Sequence, residues 1–215
     1  MRTFISPIGF NSTSITRPVL SHGVDTGDAV VLLRPHQETL DDRAKEARAD
    51  VERLLTEIEP DVSLQTHKIT YDDFHAAVIE CSDIITDSEP ERIVNLGGGA
   101  RDVFLPLTVA AITHANVIDA VFTFSDIDGT VRNPPLPNLS VQPAESTHQT
   151  LEAIVESEAE LSVTQLSDVL GVSKSTITRH LNQLEEVGAV STRQEGKTKS
   201  ATSTLSGELL VRIMM

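Results

Sequence analysis

The chain has 215 residues, with 32 acidic against 17 basic for a formal net charge of −15, one cysteine and no tryptophan. That length suffices for one large or two modest cores, and 39% hydrophobic content belongs to a folded protein. The single Cys81 excludes an internal disulfide and a cysteine-rich zinc site, and the lack of any 18-residue apolar run excludes a membrane-spanning helix.

The first residues lack the basic and apolar regions of a signal peptide, which predicts a cytoplasmic protein. Arginines outnumber lysines 12 to 5. An acidic, lysine-poor surface is the composition of a protein kept soluble in molar salt, where the Debye length falls to about 3 Å and repulsion of nucleic acid is screened. A halophilic source is therefore expected.

Phe4-Ile5 mark a short strand ending near Pro7. Gly9 breaks it, and Asn11, Ser12 and Thr13 offer caps for a helix running to about His22, with Gly23 as its stop. Ala29-Val30-Val31-Leu32-Leu33 is an apolar run of the buried parallel-strand type. From Asp41 to Ile58, Ala44, Ala47, Val51, Leu54, Leu55 and Ile58 recur at helical spacing. A strand over 62–69 and a helix over 72–86 follow, the latter placing Cys81 in the core.

Residues 92–96 form the strand that enters Gly97-Gly98-Gly99-Ala100-Arg101-Asp102, and an apolar helix continues to about His114. Glycines let a backbone approach a ligand closely, and the N–H groups of a following helix carry partial positive charge, so the turn suits phosphate. Arg101 adds a fork of donors. Asp102 is expected to cap the helix. A tight connection without a ligand is the plain alternative.

With a fifth strand at 120–124, the alternation predicts an α/β fold: a Rossmann-like, doubly wound, mainly parallel sheet. Both ligand-like loops, after the first and fourth strands, then lie at the carboxyl edge. A dehydrogenase is disfavoured, because its spaced glycine fingerprint belongs after the first strand. No catalytic residue and no metal site is expected.

Asn133-Pro134-Pro135-Leu136-Pro137-Asn138 opens a proline-rich linker, dividing the chain into 1–132, a linker at 133–144, and 145–215. In the last segment a helix over 147–157 precedes another over 161–170, for which Ser162 and Gln165 form a capping box. Gly171 turns the chain into a third helix over 174–187, with Ile177, Leu181 and Leu184 inward. A hairpin forms around Gly196, and residues 206–215 make a last helix. This is the plan of a small winged helix-turn-helix domain. Ser173, Lys174, Ser175, Thr176, Thr178 and Arg179 line the expected recognition helix, and Arg193, Lys197 and Lys199 a basic wing on double-stranded DNA. A tri-helical protein-binding module is the alternative.

The Gly-Phe-Asn-Ser-Thr junction at 9–13, the Asn-Leu-Gly-Gly-Gly-Ala-Arg junction at 95–101 and the terminal winged helix together resemble the archaeal CRISPR-associated transcription regulators with a CARF (CRISPR-associated Rossmann fold) domain. The resemblance spans essentially the whole chain. It implies a homodimer sensing a cyclic oligoadenylate, most simply cyclic tetra-adenylate, as a regulatory ligand and not a cofactor. On this reading Gly97, Gly98, Gly99 and Ala100 offer N–H groups and Arg101 offers charge. Gly9, Phe10, Asn11, Ser12 and Thr13 contact bases or ribose, and Arg17 reaches either phosphate or a surface acid. A metabolite-responsive regulator, or a protein that also cleaves its cyclic ligand slowly, are the alternatives.

Overall fold

The computed structural model describes residues 1–36, 42–157, 159–196 and 198–214. The expected helix start at Asp41, the wing residue Lys197 and the terminal Met215 lie outside them. The chain divides into two compact units, Met1–Pro135 and Leu136–Met215.

The first unit alternates β1 (Thr3–Pro7), α1 (Thr13–His22), β2 (Ala29–Pro35), α2 (Asp42–Ile58), β3 (Ser63–Ile69), α3 (Phe74–Asp87), β4 (Arg92–Asn95), α4 (Arg101–Thr113) and β5 (Ala120–Phe124). A two-residue strand, β6 (Val131–Arg132), follows. The sheet order is β3-β2-β1-β4-β5-β6. The first five strands are parallel, with Ile5 paired to Val31 on one side and to Val94 on the other. The sixth closes back antiparallel, with Phe124 opposite Val131. Growth of the sheet changes direction between β1 and β4, the topological switch at which open α/β sheets form their crevice.

Val30, Val31, Leu32 and Leu33 are all at most 5% exposed, because helices cover both faces of β2. Phe4, Val30, Leu32, Ile93 and Phe122 pack with Ile15 and Val19 of α1 and with Val51 and Leu55 of α2. On the other face α3 and α4 pack together over the sheet and bury Ala77, Cys81, Val103 and Leu107. Burial, and secondly the charge of Glu80, pushes the Cys81 thiol up to about 12, so it stays protonated. Ile58, expected on the inner stripe of α2, is exposed in its last turn.

The N-terminal edge is held by Asp28, which is 2% exposed. It accepts from Arg2 Nη2 at 2.7 Å, Arg2 Nε at 3.0 Å and the backbone N–H groups of Arg2 and Asp25. Burial raises the Asp28 carboxyl, but the bonds from Arg2 and the backbone outweigh it and hold it below the ordinary carboxylate range. A carboxyl lowered in the folded state adds stability above its unfolded pKa and loses it as pH falls through the folded one. Urea melts should therefore show an acid limb below the ordinary carboxylate range that becomes shallower in Asp28→Asn; an unchanged limb contradicts this role.

In the second unit Asn138 N–H donates to Ser206 Oγ at 2.9 Å and Leu139 packs on the core, so packed structure begins inside the stretch expected to be linker. A 3-10 turn (Glu145–Thr147) leads into α5 (His148–Glu156), followed by β7 (Leu161–Ser162), α6 (Val163–Leu170), α7 (Lys174–Glu186), β8 (Val190–Glu195), β9 (Thr198–Ser203) and α8 (Leu205–Met214). Ser162 and Gln165 form the expected capping box, and Gly171 closes α6 in the left-handed region at φ 68°. Leu161, expected inside α6, pairs instead with Ala201 as a strand. Leu151, Ile154, Leu166, Ile177, Leu181, Leu184 and Leu210 form the core. Among the described residues no helix is long and apolar enough to cross a membrane.

Candidate functional site

At the switch point, the turns after β1 and β4 face each other across a cleft of about 490 Å³. The glycine turn is held there by contacts that no side chain would permit. A Cβ on Gly97 would lie 2.7 Å from both Asn95 Oδ1 and the Phe124 backbone nitrogen, and one on Gly98 would lie 2.5 Å from Ser14 Oγ. Gly99 has φ +92°, and its Cβ would meet Pro7 Cβ at 2.5 Å. Each glycine thus has a structural reason of its own. Asn95, 3% exposed, ties the two turns together by donating from Nδ2 to Ser6 Oγ and to the Ser14 carbonyl, both at 2.8 Å.

This packing leaves donors free. No N–H group from Gly97 to Asp102 has a partner among the described residues; the first bonds into α4 are those of Val103 and Phe104 to the Ala100 carbonyl. The N-cap Ala100 supplies no side-chain acceptor. Asp102, expected to cap α4, makes no cap bond and lines the cleft instead. The helix dipole and unpaired N–H groups form an electropositive cradle.

Gly9, Phe10, Asn11, Gly97, Gly98, Gly99 and Ala100 line this cleft together. Ser12, Thr13, Arg17 and Arg101 are not among its lining residues. Ser12 is the N-cap of α1 without a side-chain bond, and Asn11 Oδ1 accepts from the Thr13 N–H at 2.9 Å. Arg17 makes no ion pair with a surface acid among the described residues; its Nη1 donates to the Gly129 carbonyl at 2.9 Å and the guanidinium lies 5.9 Å from the Phe124 ring centre, bracing the β5–β6 turn. Arg101 is exposed beside the cradle and makes no ion pair among the described residues. The lining also includes Pro35, Tyr71 and Asp126, which sequence reading missed. The available signal was topological, since every loop after a parallel strand borders the same edge.

In the second unit Ser173 accepts from the Thr176 N–H and caps α7, and its hydroxyl lies 2.9 Å from those of Ser175 and Thr176. Thr178 Oγ1 donates back to the Lys174 carbonyl. Lys174, Ser175 and Arg179 are exposed, and neither cation has an ion-pair partner among the described residues. The hairpin is less freely basic than expected. Arg193 pairs with Glu195 at 2.6 Å on the surface, where such pairs are weak and readily exchanged. Lys199 reaches back to Asn182 Oδ1 at 2.8 Å and Glu185 at 3.3 Å, and Glu185 also accepts from the Thr192 hydroxyl. The wing is thereby braced to α7.

His180, 7% exposed on the inner face of α7, shares a 2.8 Å hydrogen bond between Nδ1 and Thr150 Oγ1 of α5. Burial, and secondly the charge of Arg179, lowers its pKa. A histidine lowered in the folded state contributes stability above its unfolded pKa that is lost as pH falls through the folded one. Thermal melts should drop as pH falls below the ordinary histidine range, and His180→Gln should remove part of that response; an identical profile would contradict it.

Residues 2–130 match the Csa3 CRISPR-associated Rossmann-like domain, and residues 154–192 match the helix-turn-helix of the arsR family of bacterial regulatory proteins. Reduced HlyU from Vibrio cholerae N16961 is 32% identical over 33% of this chain and 74% of its own, with a TM-score of 0.29. The MepR–DNA complex of Staphylococcus aureus is 19% identical over 33% of this chain and 60% of its own, with a TM-score of 0.31. Protein VC1899 from Vibrio cholerae is 11% identical over 98% of this chain and 64% of its own, with a TM-score of 0.45. No curated protein matches the sequence.

Proposed function

Because the chain belongs to the family of the Csa3 CRISPR-associated Rossmann-like domain and is a CRISPR-associated transcription regulator with a winged helix, we propose that it is a ligand-gated one. In this reading a homodimer senses a cyclic oligoadenylate, most simply cyclic tetra-adenylate, at the first unit. The second unit binds double-stranded DNA through α7 and the β8–β9 hairpin. The observation that carries the reading is the set of unpaired N–H groups from Gly97 to Asp102, held at the switch point by glycines whose Cβ positions are occupied by neighbours. Donors fixed in advance lose little entropy on meeting an anion. Two copies of the cradle match the symmetry of a ring that repeats phosphate and base.

Arg101 supplies charge at the rim, and Phe10 and Asn11 the opposite wall. Arg17 acts indirectly by fixing the β5–β6 turn. Ser173, Lys174, Ser175, Thr176, Thr178 and Arg179 form the DNA-facing end of α7, with Arg193 as the exchangeable cation of the wing and Lys199 as its brace.

Coupling between ligand and DNA must be reciprocal. Fluorescence anisotropy on promoter DNA upstream of the chain's own gene, with and without saturating cyclic tetra-adenylate, should give different affinities. Identical isotherms would remove the gating.

A further inference from the structure

The cleft extends well beyond the two glycine-bearing turns. Tyr71 lies after β3, Pro35 ends β2, and Asp126 follows β5. In the order β3-β2-β1-β4-β5 the outer two strands lie four steps apart, about 19 Å at about 4.8 Å per step. One phosphate on the central N–H groups occupies only the middle. The two ends differ in chemistry: Asp126 places a carboxylate on the β5 side, and the β2–β3 side offers Pro35 and an aromatic ring.

We propose that Tyr71 is a stacking platform for one base of the bound ligand. The inference rests on the cyclic oligoadenylate reading and names what holds the base. Tyr71 is half-buried, and its ring lies 5.5 Å from that of His36 at a tilt of 40°. His36 is in turn fixed by its backbone N–H to the Ile69 carbonyl at 3.0 Å. The turn carrying Tyr71 is clamped from both sides. Glu80 of α3 accepts from the Thr70 N–H at 2.8 Å and from Thr70 Oγ1 at 2.7 Å, and Asp73 caps α3 by accepting from the Ala76 N–H. An aromatic surface anchored this way stacks a base without first being ordered. The Tyr71 hydroxyl has no hydrogen-bond partner among the described residues, so replacing Tyr71 by Phe separates stacking by the ring from bonding by the hydroxyl.

The chain has one tyrosine and no tryptophan, so its intrinsic emission reports Tyr71 alone. Titrating the full chain with cyclic tetra-adenylate should quench that emission in step with binding measured by calorimetry. Tyr71→Leu should weaken ring binding about 5- to 150-fold with DNA affinity retained, and Tyr71→Phe should bind as the wild type does. Unchanged emission on a saturated protein, or equal ring affinity in Tyr71→Leu, overturns the platform while leaving the ring as ligand. If Tyr71→Leu fails to fold, the emission of the wild type decides. No ring binding by the wild type overturns the ligand and the platform together.

Discussion

Gly97→Ala lowers the stability of the first unit by about 3 kcal/mol, the upper part of the range for forcing atoms into a packed site, and abolishes ring binding. The added carbon would stand 2.7 Å from the backbone nitrogen of Phe124, which is paired with Val131 of β6, and equally close to the buried Asn95 amide. Neither neighbour is the mobile end of a long side chain, so β4 must move away from β5 and take the free N–H groups with it. Gly9→Ala is the internal control. Its Cβ comes nearest to Gly99 at 3.3 Å, a few tenths of an ångström inside ordinary contact, and next to the Ala100 nitrogen at 3.8 Å, so the fold is expected to survive. Urea melts of both variants beside calorimetry with cyclic tetra-adenylate read the two effects separately. A Gly97→Ala protein as stable as the wild type would contradict the packing account of the turn.

The second large effect is at the other end of the chain. Lys174→Ala combined with Arg179→Ala is expected to lower DNA affinity about 100-fold, since on the proposed reading Arg179 reads a base at about 1–3 kcal/mol and Lys174 meets a phosphate, whose loss weakens binding to every sequence. Lys174 alone should reduce the dependence of log affinity on log salt by about one, and Arg179 alone should relax sequence preference. Both side chains are exposed without ion pairs among the described residues, so truncation leaves no buried charge and melts should stay within about 0.5 kcal/mol. Lys199→Met acts by another route, releasing Glu185 and loosening the wing. Anisotropy with one DNA over a salt series separates these cases. An unchanged affinity in the double variant would move DNA recognition off α7.

These two sites differ in how far the sequence discloses them. The five-residue apolar run in β2 and the helical spacing of Ile177, Leu181 and Leu184 announce burial directly, because periodicity is local. Strand β6 is two residues long and exists only through its register with Thr123 and Phe124, so no pattern could reveal it. The glycine turn was legible as a turn, but the atoms that require glycine there, on Pro7 and Ser14, are more than 80 positions distant in sequence. Tyr71 and Asp126 enter the cleft only after the strands are ordered side by side. Charge counts identify Lys199 as basic but not as bound to Glu185, an acid on another element. Arg17 is the same lesson, an exposed cation in sequence that serves a carbonyl across the unit.

The claim at the centre is that two copies of the Gly97–Asp102 cradle bind one cyclic oligonucleotide. Calorimetric titration of the full chain with cyclic tetra-adenylate, repeated at low and molar KCl, measures this directly. One ring per two chains is the predicted stoichiometry. One ligand per chain, or no heat with any cyclic oligoadenylate at either salt, would contradict it.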